Sequence, residues 1–598
     1  MPRVHSVLIT QCLQRDFVDL VPKDRPLPNK LHVGPEEAER LLGVDPSQGP
    51  VAQLMAWARA QQVDRLSIFH VRDWHDPADP RQSDHLAAFG THCVKNTPGA
   101  SLVLGLDSGM RANERTVDAI ALNDCEDTRL PEVIEALAAL GPLKVGVVGV
   151  WTEAKVSFLL YDLKTRFRID ALATCSALDA SASRAQHFNA LEQLKKLLGV
   201  EVFDGVGEFT DWLLPDGARP SLPKTASGYS PDLRLPAGAS PLGADEKDIL
   251  SWLYRDSARV DLAPLSGGFS GCRVFRAESH DSFGHDQAPS VAKIGPRRAI
   301  SSERAAFERV EPILGNNAPG VRGFADLGDV AGIKYAFASM GRGRVRTLKS
   351  MFEANEPQRQ IDAVLTEVFE EILGRFYTAA TRERLSLYGH YGFDERWAPE
   401  VRQRVAALAD ASGPRIRVGS LEALNVCRFY EKLPPDDPGE YRLVSYVHGD
   451  LNGANVLVDS RDNVWLIDFF HTARGHVLKD LAKVENDLLY LFTPLPDEAA
   501  LEEGLAITRA LARVEDLREP LPETPSGVTL APMRRAWATL ITLRRVVGAV
   551  VKGDPGARQL DIALLRYSVH TLGFDEASPL QRRWALASSC LRAEKLLS

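Results

Sequence analysis

The chain has 598 residues, 44% of them hydrophobic and 25% charged, with a formal net charge of −9; that length exceeds one hydrophobic core and points to two or more domains. The acidic balance gives no footprint for nucleic acid or an anionic membrane surface, and no apolar run reaches the roughly 18 residues of a membrane span. The opening Met-Pro-Arg-Val-His5 lacks a signal-peptide core, and seven scattered cysteines without a Cys-x-x-Cys pair fit a reducing cytoplasm better than a disulfide framework or a zinc ribbon.

In chain order, the runs Val4–Thr10, Leu66–Val71, Leu143–Val150 and Ala171–Cys175 have strand length and are almost wholly apolar. Between them, Val51–Gln61, Pro131–Leu140, Glu153–Arg166 and Ser181–Leu198 carry helical spacing. Strands alternating with helices predict a three-layer α/β domain with a parallel sheet over residues 1–213.

Five stretches of this domain carry a resemblance: Cys12-Leu-Gln-Arg-Asp-Phe17, Arg72-Asp-Trp-His75, Gly90-Thr-His-Cys93, Thr97-Pro-Gly-Ala100 and Gly149-Val-Trp-Thr-Glu-Ala-Lys155. Together they resemble the isochorismatase-like cysteine hydrolases, nicotinamidases included, over nearly all of 1–210. The resemblance implies a working Asp, Lys and nucleophilic Cys, at positions that here hold Cys12, Asn123 and Lys155. An amine in place of a thiolate, with no carboxylate as base, removes the usual thioester chemistry, so no nicotinamidase or isochorismatase activity is expected. Asp73, His75 and His92, with His85 as a candidate fourth, match the family's metal ligands. A two-His, one-carboxylate set can hold Zn²⁺, Fe²⁺ or Mn²⁺; the bland alternative is that Asp73 and His75 bond nearby backbone. Cys12 and Lys155 would face each other in this fold. An ammonium beside a thiol lowers its pKa, whereas a buried cysteine is an inert small hydrophobe. A homodimer through this domain is also implied by the resemblance.

Residues 214–244 are rich in Pro, Gly, Ser and Ala and read as a linker without a core. A helical stretch, Glu246–Arg255, follows. Leu265-Ser-Gly-Gly-Phe-Ser-Gly-Cys-Arg-Val-Phe-Arg276 then reads as strand, glycine turn, strand, in which the backbone of Gly267, Gly268, Ser270 and Gly271 can approach phosphate oxygens. Ser290-Val-Ala-Lys-Ile-Gly295 places Lys293 within a strand, and Ser302-Glu-Arg-Ala-Ala-Phe-Glu308 begins a helix.

Beyond the helical spacing of Val345–Asn355, Gln358–Tyr377 and Pro399–Ala411 comes Tyr446-Val-His-Gly-Asp-Leu-Asn-Gly-Ala-Asn-Val-Leu-Val458, then Val464-Trp-Leu-Ile-Asp-Phe-Phe470. The two apolar runs flank a polar turn and predict a β-hairpin, which brings Asn455 at its entry and Asp468 at its exit together. An amide and a carboxylate oxygen there suit Mg²⁺ alongside nucleotide phosphates, and Asp450 on the preceding loop is placed to take a proton from a hydroxyl.

These stretches resemble the kinase fold, in the version of the aminoglycoside and choline kinases. The resemblance implies an α+β bilobal protein-kinase-like domain over 245–598, with a small lobe of about 245–340 and a large lobe of about 341–598. It implies that Lys293 neutralises the α- and β-phosphates of ATP or GTP and pairs with Glu303, or failing that Glu308. It makes Ile333–Met340 the last small-lobe strand and hinge, with backbone of Ala338, Ser339 and Met340 on adenine. No Gly follows Asp468-Phe and no Ala-Pro-Glu segment is present, which favours a small-molecule kinase or a repurposed kinase fold over a protein kinase. Asp480 is expected to brace the catalytic loop, and helices over Ala499–Leu517, Met533–Val551, Ala557–Leu572 and Leu580–Leu596 complete the lobe. With Lys479-Asp-Leu-Ala-Lys-Val-Glu485, the set also resembles bacterial kinase-like proteins described as ternary-complex-associated, which implies a multi-protein setting. The expected function is an ATP- or GTP-dependent phosphotransferase acting on a hydroxyl of a small molecule or a protein. The alternatives are a nucleotide-binding pseudoenzyme sensor, or a hydrolase with altered chemistry at Cys12, Lys155 or the metal site.

Overall fold

The computed structural model describes residues 4–218, 222, 230–265, 271–336, 345–434, 440–551 and 553–598. Two compact units result: Met1–Arg309 with Val321–Phe337, and Val310–Gly320 with Ala338–Ser598.

The first unit opens with a parallel sheet of β1 (His5–Gln11), β2 (Leu66–Asp73), β3 (Glu114–Ala119), β4 (Leu143–Gly149), β5 (Ala171–Cys175) and β6 (Glu201–Phe203), in the order β3-β2-β1-β4-β5-β6. Alternate residues face opposite ways on a strand, and β1 shows why its run is continuously apolar. Leu8 packs with Leu54, Ala58, Phe209 and Leu213 on one side, while Val7 and Ile9 pack with Leu159, Leu163, Phe188 and Leu191 on the other. This is a three-layer α/β arrangement, with apolar layers on both faces of a parallel sheet. Gly149, where β4 ends, has φ +133, and a Cβ there would lie 2.1 Å from the Gln11 carbonyl oxygen, so only glycine fits.

A second six-stranded sheet of the same unit contains β7 (Asp232–Arg234), β8 (Arg259–Pro264), β9 (Arg273–His280), β10 (Ser290–Pro296), β11 (Val321–Leu327) and β12 (Val330–Ala336), ordered β11-β12-β10-β9-β8-β7. Its pairs are antiparallel except β7 with β8. The expectation of a coreless linker over 214–244 is therefore corrected: β7 comes from that stretch, and Leu233 and Leu235 pack against the buried Val260, Leu262 and Phe275. Residues 219–221 and 223–229 of the stretch lie outside the described residues. The helix Arg297–Leu314 follows β10 directly.

The second unit is mainly helical. It includes β13 (Arg346–Thr347), β14 (Thr381–Arg384), the hairpin of β15 (Arg415–Val418) and β16 (Leu421–Leu424), β17 (Tyr441–Val447), β18 (Val456–Val458), β19 (Val464–Leu466) and β20 (Ala473–His476). The predicted hairpin forms, with Val456 opposite Leu466 and Val458 opposite Val464. The helices Glu498–Ala512, Ala531–Val551, Arg558–Thr571 and Pro579–Leu597 fall where the spacing places them. Pro579–Leu597 starts in a capping box between Ser578 and Gln581. None of the described helices is long and apolar enough to cross a membrane.

Buried charge ties these helices together. Arg544 of Ala531–Val551 holds both carboxylate oxygens of Glu485 at 2.7 Å, with both side chains buried. Breaking such a pair leaves one charge uncompensated and costs about 3–5 kcal/mol. Arg544→Met is expected to lower the thermal midpoint of the full chain clearly, and the double change Arg544→Met with Glu485→Met to recover most of the loss; a single variant melting like wild type would refute the assignment.

Candidate functional sites

The polar residues of the N-terminal sheet gather beyond the carboxyl ends of its strands, where open α/β sheets bind ligands. Cys12 follows β1 in a left-handed conformation (φ 50), Asp73 ends β2, and Lys155 lies in the turn Thr152–Val156 after β4. Lys155 Nζ is 2.9 Å from Asp73 Oδ1 and 2.7 Å from Asp124 Oδ1, and donates to the Ala121 carbonyl at 2.8 Å. Burial works against the ammonium, but Asp73 and Asp124 outweigh it and hold the Lys155 pKa well above the ordinary value. Asp73 is likewise opposed by burial and carried well below its ordinary value by Lys155. At Asp124 burial prevails over Lys155 and the carboxyl is pushed up to about 6.

One expectation is corrected here, and one alternative finds no support. Asn123 does not face Lys155; its Oδ1 accepts from the Cys125 amide at 2.8 Å, and its neighbour Asp124 points into the cluster instead. The site thus holds two carboxylates rather than none, each with one oxygen on the ammonium. The activated Cys12 is also not supported: it is 1% exposed, and burial followed by Asp73 raises its thiol pKa against the smaller opposing effect of Lys155. A lysine held as an ammonium has no lone pair, and a thiol held protonated is a poor nucleophile.

The other side of Asp73 faces three histidines. One nitrogen each of His75, His85 and His92 lies within 4.8 Å of the others. His75 Nδ1 donates to Gln82 Oε1 at 2.8 Å and His92 Nδ1 to the Gly90 carbonyl at 2.7 Å, which leaves each Nε2 with a free lone pair. Asp73 Oδ2 stands 3.8 and 3.6 Å from those Nε2 atoms, beyond hydrogen-bond reach. His75 Nε2 and His85 Nε2 are buried without a hydrogen-bond partner among the described residues. Burial, then the neighbouring His75, pull His85 down to about 4, so it stays neutral. A neutral His85, beside His75 and His92 oriented through their Nδ1 atoms and backed by a carboxylate, fits a divalent transition metal.

In the second sheet, Lys293 on β10 places Nζ 2.8 Å from Glu303 Oε2 on the helix Arg297–Leu314. The Tyr335 hydroxyl donates to the other oxygen, Glu303 Oε1, at 2.7 Å. Glu308, the fallback partner, is engaged elsewhere: Arg184 Nη2 is 2.7 Å from its Oε2. Gly271 (φ 69) closes the glycine turn, whereas Gly267, Gly268 and Ser270, and the hinge residues Ala338, Ser339 and Met340, lie outside the described residues.

The loop carrying Asp450 belongs to the second unit and is fixed through its backbone. Asp480, buried on the helix Lys479–Asp487, accepts from the amides of His448 (2.7 Å) and Gly449 (2.8 Å), one to each oxygen. Burial raises the Asp480 pKa; those two amides and His448 oppose the shift. Gly449 has φ +89, and a Cβ there would sit 2.1 Å from the His471 carbonyl oxygen, so the turn demands glycine. His448 Nε2 donates to the Ile467 carbonyl at 2.9 Å, and the Thr472 hydroxyl to the His448 carbonyl at 3.1 Å. Asn455 Nδ2 donates to the Asp450 carbonyl at 3.0 Å, and the Ile467 amide bonds the Asn455 carbonyl at 3.1 Å. These bonds set Asn455 opposite the residue before Asp468, and Asp468 itself has a left-handed backbone conformation (φ 65). Lys483 was given no role by sequence reasoning. Its Nζ lies 2.7 Å from Asp487 and 3.9 Å from Asp450 Oδ1. Its position three residues after Asp480, on the same helix face, was the available signal.

Among solved structures, the chain is similar to the pyrazinamidase/nicotinamidase of Streptococcus mutans UA159, with 20% identity over 33% of this chain and 99% of that one, at a TM-score of 0.27. It is similar to the pyrazinamidase of Pyrococcus horikoshii in complex with zinc, with 21% identity over 33% and 97% at a TM-score of 0.25. It is also similar to an aminoglycoside-3'-phosphotransferase of type VIII, with 17% identity over 55% and 100% at a TM-score of 0.30. No curated protein matches the sequence. The family model described as ternary complex associated domain 9 matches residues 258–426 and 407–573, which together run over 258–573 of the 598 residues. With more than half of its length matched, the chain belongs to the ternary complex associated domain 9 family.

Proposed function

We propose that the protein is an ATP- or GTP-dependent phosphotransferase acting on a hydroxyl, fused to an isochorismatase-like domain that is not a cysteine hydrolase. The observation that carries this reading is the Asp450 loop. Its backbone is pinned by Asp480 and Asn455, while the Asp450 side chain stays 39% exposed, open to an acceptor hydroxyl. Asp450 accepts the hydroxyl proton as the acceptor oxygen bonds the γ-phosphorus and the bond from that phosphorus to the nucleoside diphosphate breaks, the diphosphate leaving. Asn455 and Asp468 would hold Mg²⁺, which when bound neutralises charge on the nucleotide phosphates. Lys293, oriented by Glu303, bonds the α- and β-phosphates. Backbone of Gly267, Gly268, Ser270 and Gly271 covers them, and Ser339 and Met340 receive the base. The acceptor is a small molecule or a protein, and the family's description suits work among other proteins of a multi-component system. The setting we propose is the cytoplasm, with self-association through the N-terminal domain.

In that domain, the ammonium of Lys155 stands where the related hydrolases need a nucleophile. His75, His85 and His92, with Asp73, would hold Zn²⁺, Fe²⁺ or Mn²⁺, which supplies a Lewis acid when bound.

With labelled ATP and Mg²⁺, wild type is expected to turn over nucleotide, and Asp450→Ala and Asp468→Asn to lose about 10²-fold or more. Wild type that binds ATP but is as inert as the variants would replace this reading with a nucleotide-gated scaffold. Elemental analysis of the purified chain should find about one transition-metal equivalent, removed by combined His75→Ala and His92→Ala changes; equal metal content in both proteins would end the metal assignment. Ammonia release from nicotinamide should be absent, and turnover lost on changing Lys155 would overturn the non-hydrolase reading.

A further inference from the structure

Resting on the phosphotransferase reading, we propose that the N-terminal domain is a docking clamp for the helix Arg297–Leu314. In this proposal Arg184 and Asp204 are positioning residues that set the Lys293–Glu303 pair.

The helix has two occupied faces. Ile300, Glu303 and Phe307 share one face by helical spacing and turn toward the second sheet, where Ile300 packs with Ile333 and Tyr335, and Phe307 meets the Tyr335 ring edge-on. Ser301, Arg304 and Glu308 share another face, turned to the N-terminal domain. There the Ser302 hydroxyl donates to Asp204 Oδ2 at 3.0 Å, and Arg304 Nη2 donates to the Asp204 carbonyl. Arg184 bridges Glu308 at 2.7 Å and Glu37 of the N-terminal domain at 2.9 Å. At the start of the helix, Arg297 Nη2 is 2.6 Å from Asp211 Oδ2.

The contact is close as well as charged. A Cβ on Gly205 would come 2.6 Å from Ser301 Oγ, and the Gly207 amide donates to the buried Asp326 at 2.8 Å. Glu308 and Arg184 are 14% and 13% exposed, so the pair is partly shielded from solvent. Burial opposes the Glu308 carboxylate, yet Arg184, then Arg304 and Arg40, hold its pKa below the ordinary value. Partly buried, hydrogen-bonded pairs resist separation far more than surface pairs do.

In kinases the placement of this helix decides whether the Lys–Glu pair forms. Here a roll or outward swing of Arg297–Leu314 would have to break the Asp204, Arg184 and Asp211 contacts together. A hydrolase fold that has lost its nucleophile yet keeps its packed layers thereby acquires a mechanical role, holding the helix at the angle that brings Glu303 to Lys293.

The test is a double-mutant cycle in the full chain. Arg184→Met is expected to cut phosphotransfer about tenfold in the wild-type background, and less than about twofold where Glu303→Gln has already broken the pair. Arg184→Lys, which keeps a cation, should recover part of the rate. Equal losses in both backgrounds would mark Arg184 as merely structural, and no loss in either would remove the clamp. Should wild type itself show no turnover, the phosphotransferase reading fails separately and hydrogen exchange decides: amides of 297–309 that exchange faster in Arg184→Met at matched thermal stability support the clamp, and unchanged amides overturn it.

Discussion

A charge taken out of water has to be paired or neutralised, and each side chain of functional interest here is placed by meeting that demand. Lys293 is fixed because Glu303 is its partner and Tyr335 takes the second carboxylate oxygen. Asp480 is fixed because two backbone amides satisfy its oxygens, and in accepting them it shapes the loop that carries Asp450. Lys155 is fixed because two carboxylates surround it. The glycine turns at 149 and 449 serve the same end, since each brings a backbone within a distance that no Cβ would permit.

Asp73 shows how one side chain can belong to two constellations. Its Oδ1 is bonded to the Lys155 ammonium while its Oδ2 faces His75 and His92. A lysine at this position therefore does more than add a charge. The ammonium draws Asp73 into an ion pair and keeps it ionised, the form a divalent cation prefers. The Lys155 ion pair and the histidine cluster are compatible, because they share one carboxylate and use different oxygens of it.

The parallel sheet was legible because strands buried on both faces read as near-continuous apolar runs; β1, β4 and β5 do, and over Leu66–Val71 β2 does apart from Ser67 and His70. The strand β3 was not, since Glu114-Arg-Thr-Val-Asp-Ala119 is mostly polar. Its Glu114 is buried only because Arg59 and His70 reach it from distant parts of the chain, a tertiary match that local pattern does not contain. Composition misled at β7, where a Pro- and Gly-rich surrounding hid three residues that complete a sheet edge. The hairpin of β18 and β19 was legible because its apolar runs and the polar turn between them agree. In the loop before α-helical residues 130–140, by contrast, spacing could not decide which of Asn123 and Asp124 points inward. An irregular backbone has no period to read. Likewise the resemblance placed an ammonium beside Cys12 without showing that burial and Asp73 together outweigh it.

The two halves use the same interaction to opposite effect. In the N-terminal site the bonds run to the side chains themselves: Lys155 is held by Asp73 Oδ1 and Asp124 Oδ1, so its ammonium has no lone pair to offer. Around Asp450 they run to the backbone on either side: Asp480 holds residues 448 and 449, and the Asn455 amide holds the Asp450 carbonyl. Lys483 is kept by Asp487 at 2.7 Å and stands off Asp450 at 3.9 Å, beyond a hydrogen bond. The base role proposed for Asp450 requires a carboxylate positioned without being occupied. Fixing the loop while leaving the carboxylate unspent meets that requirement, and a lysine locked between two aspartates does not.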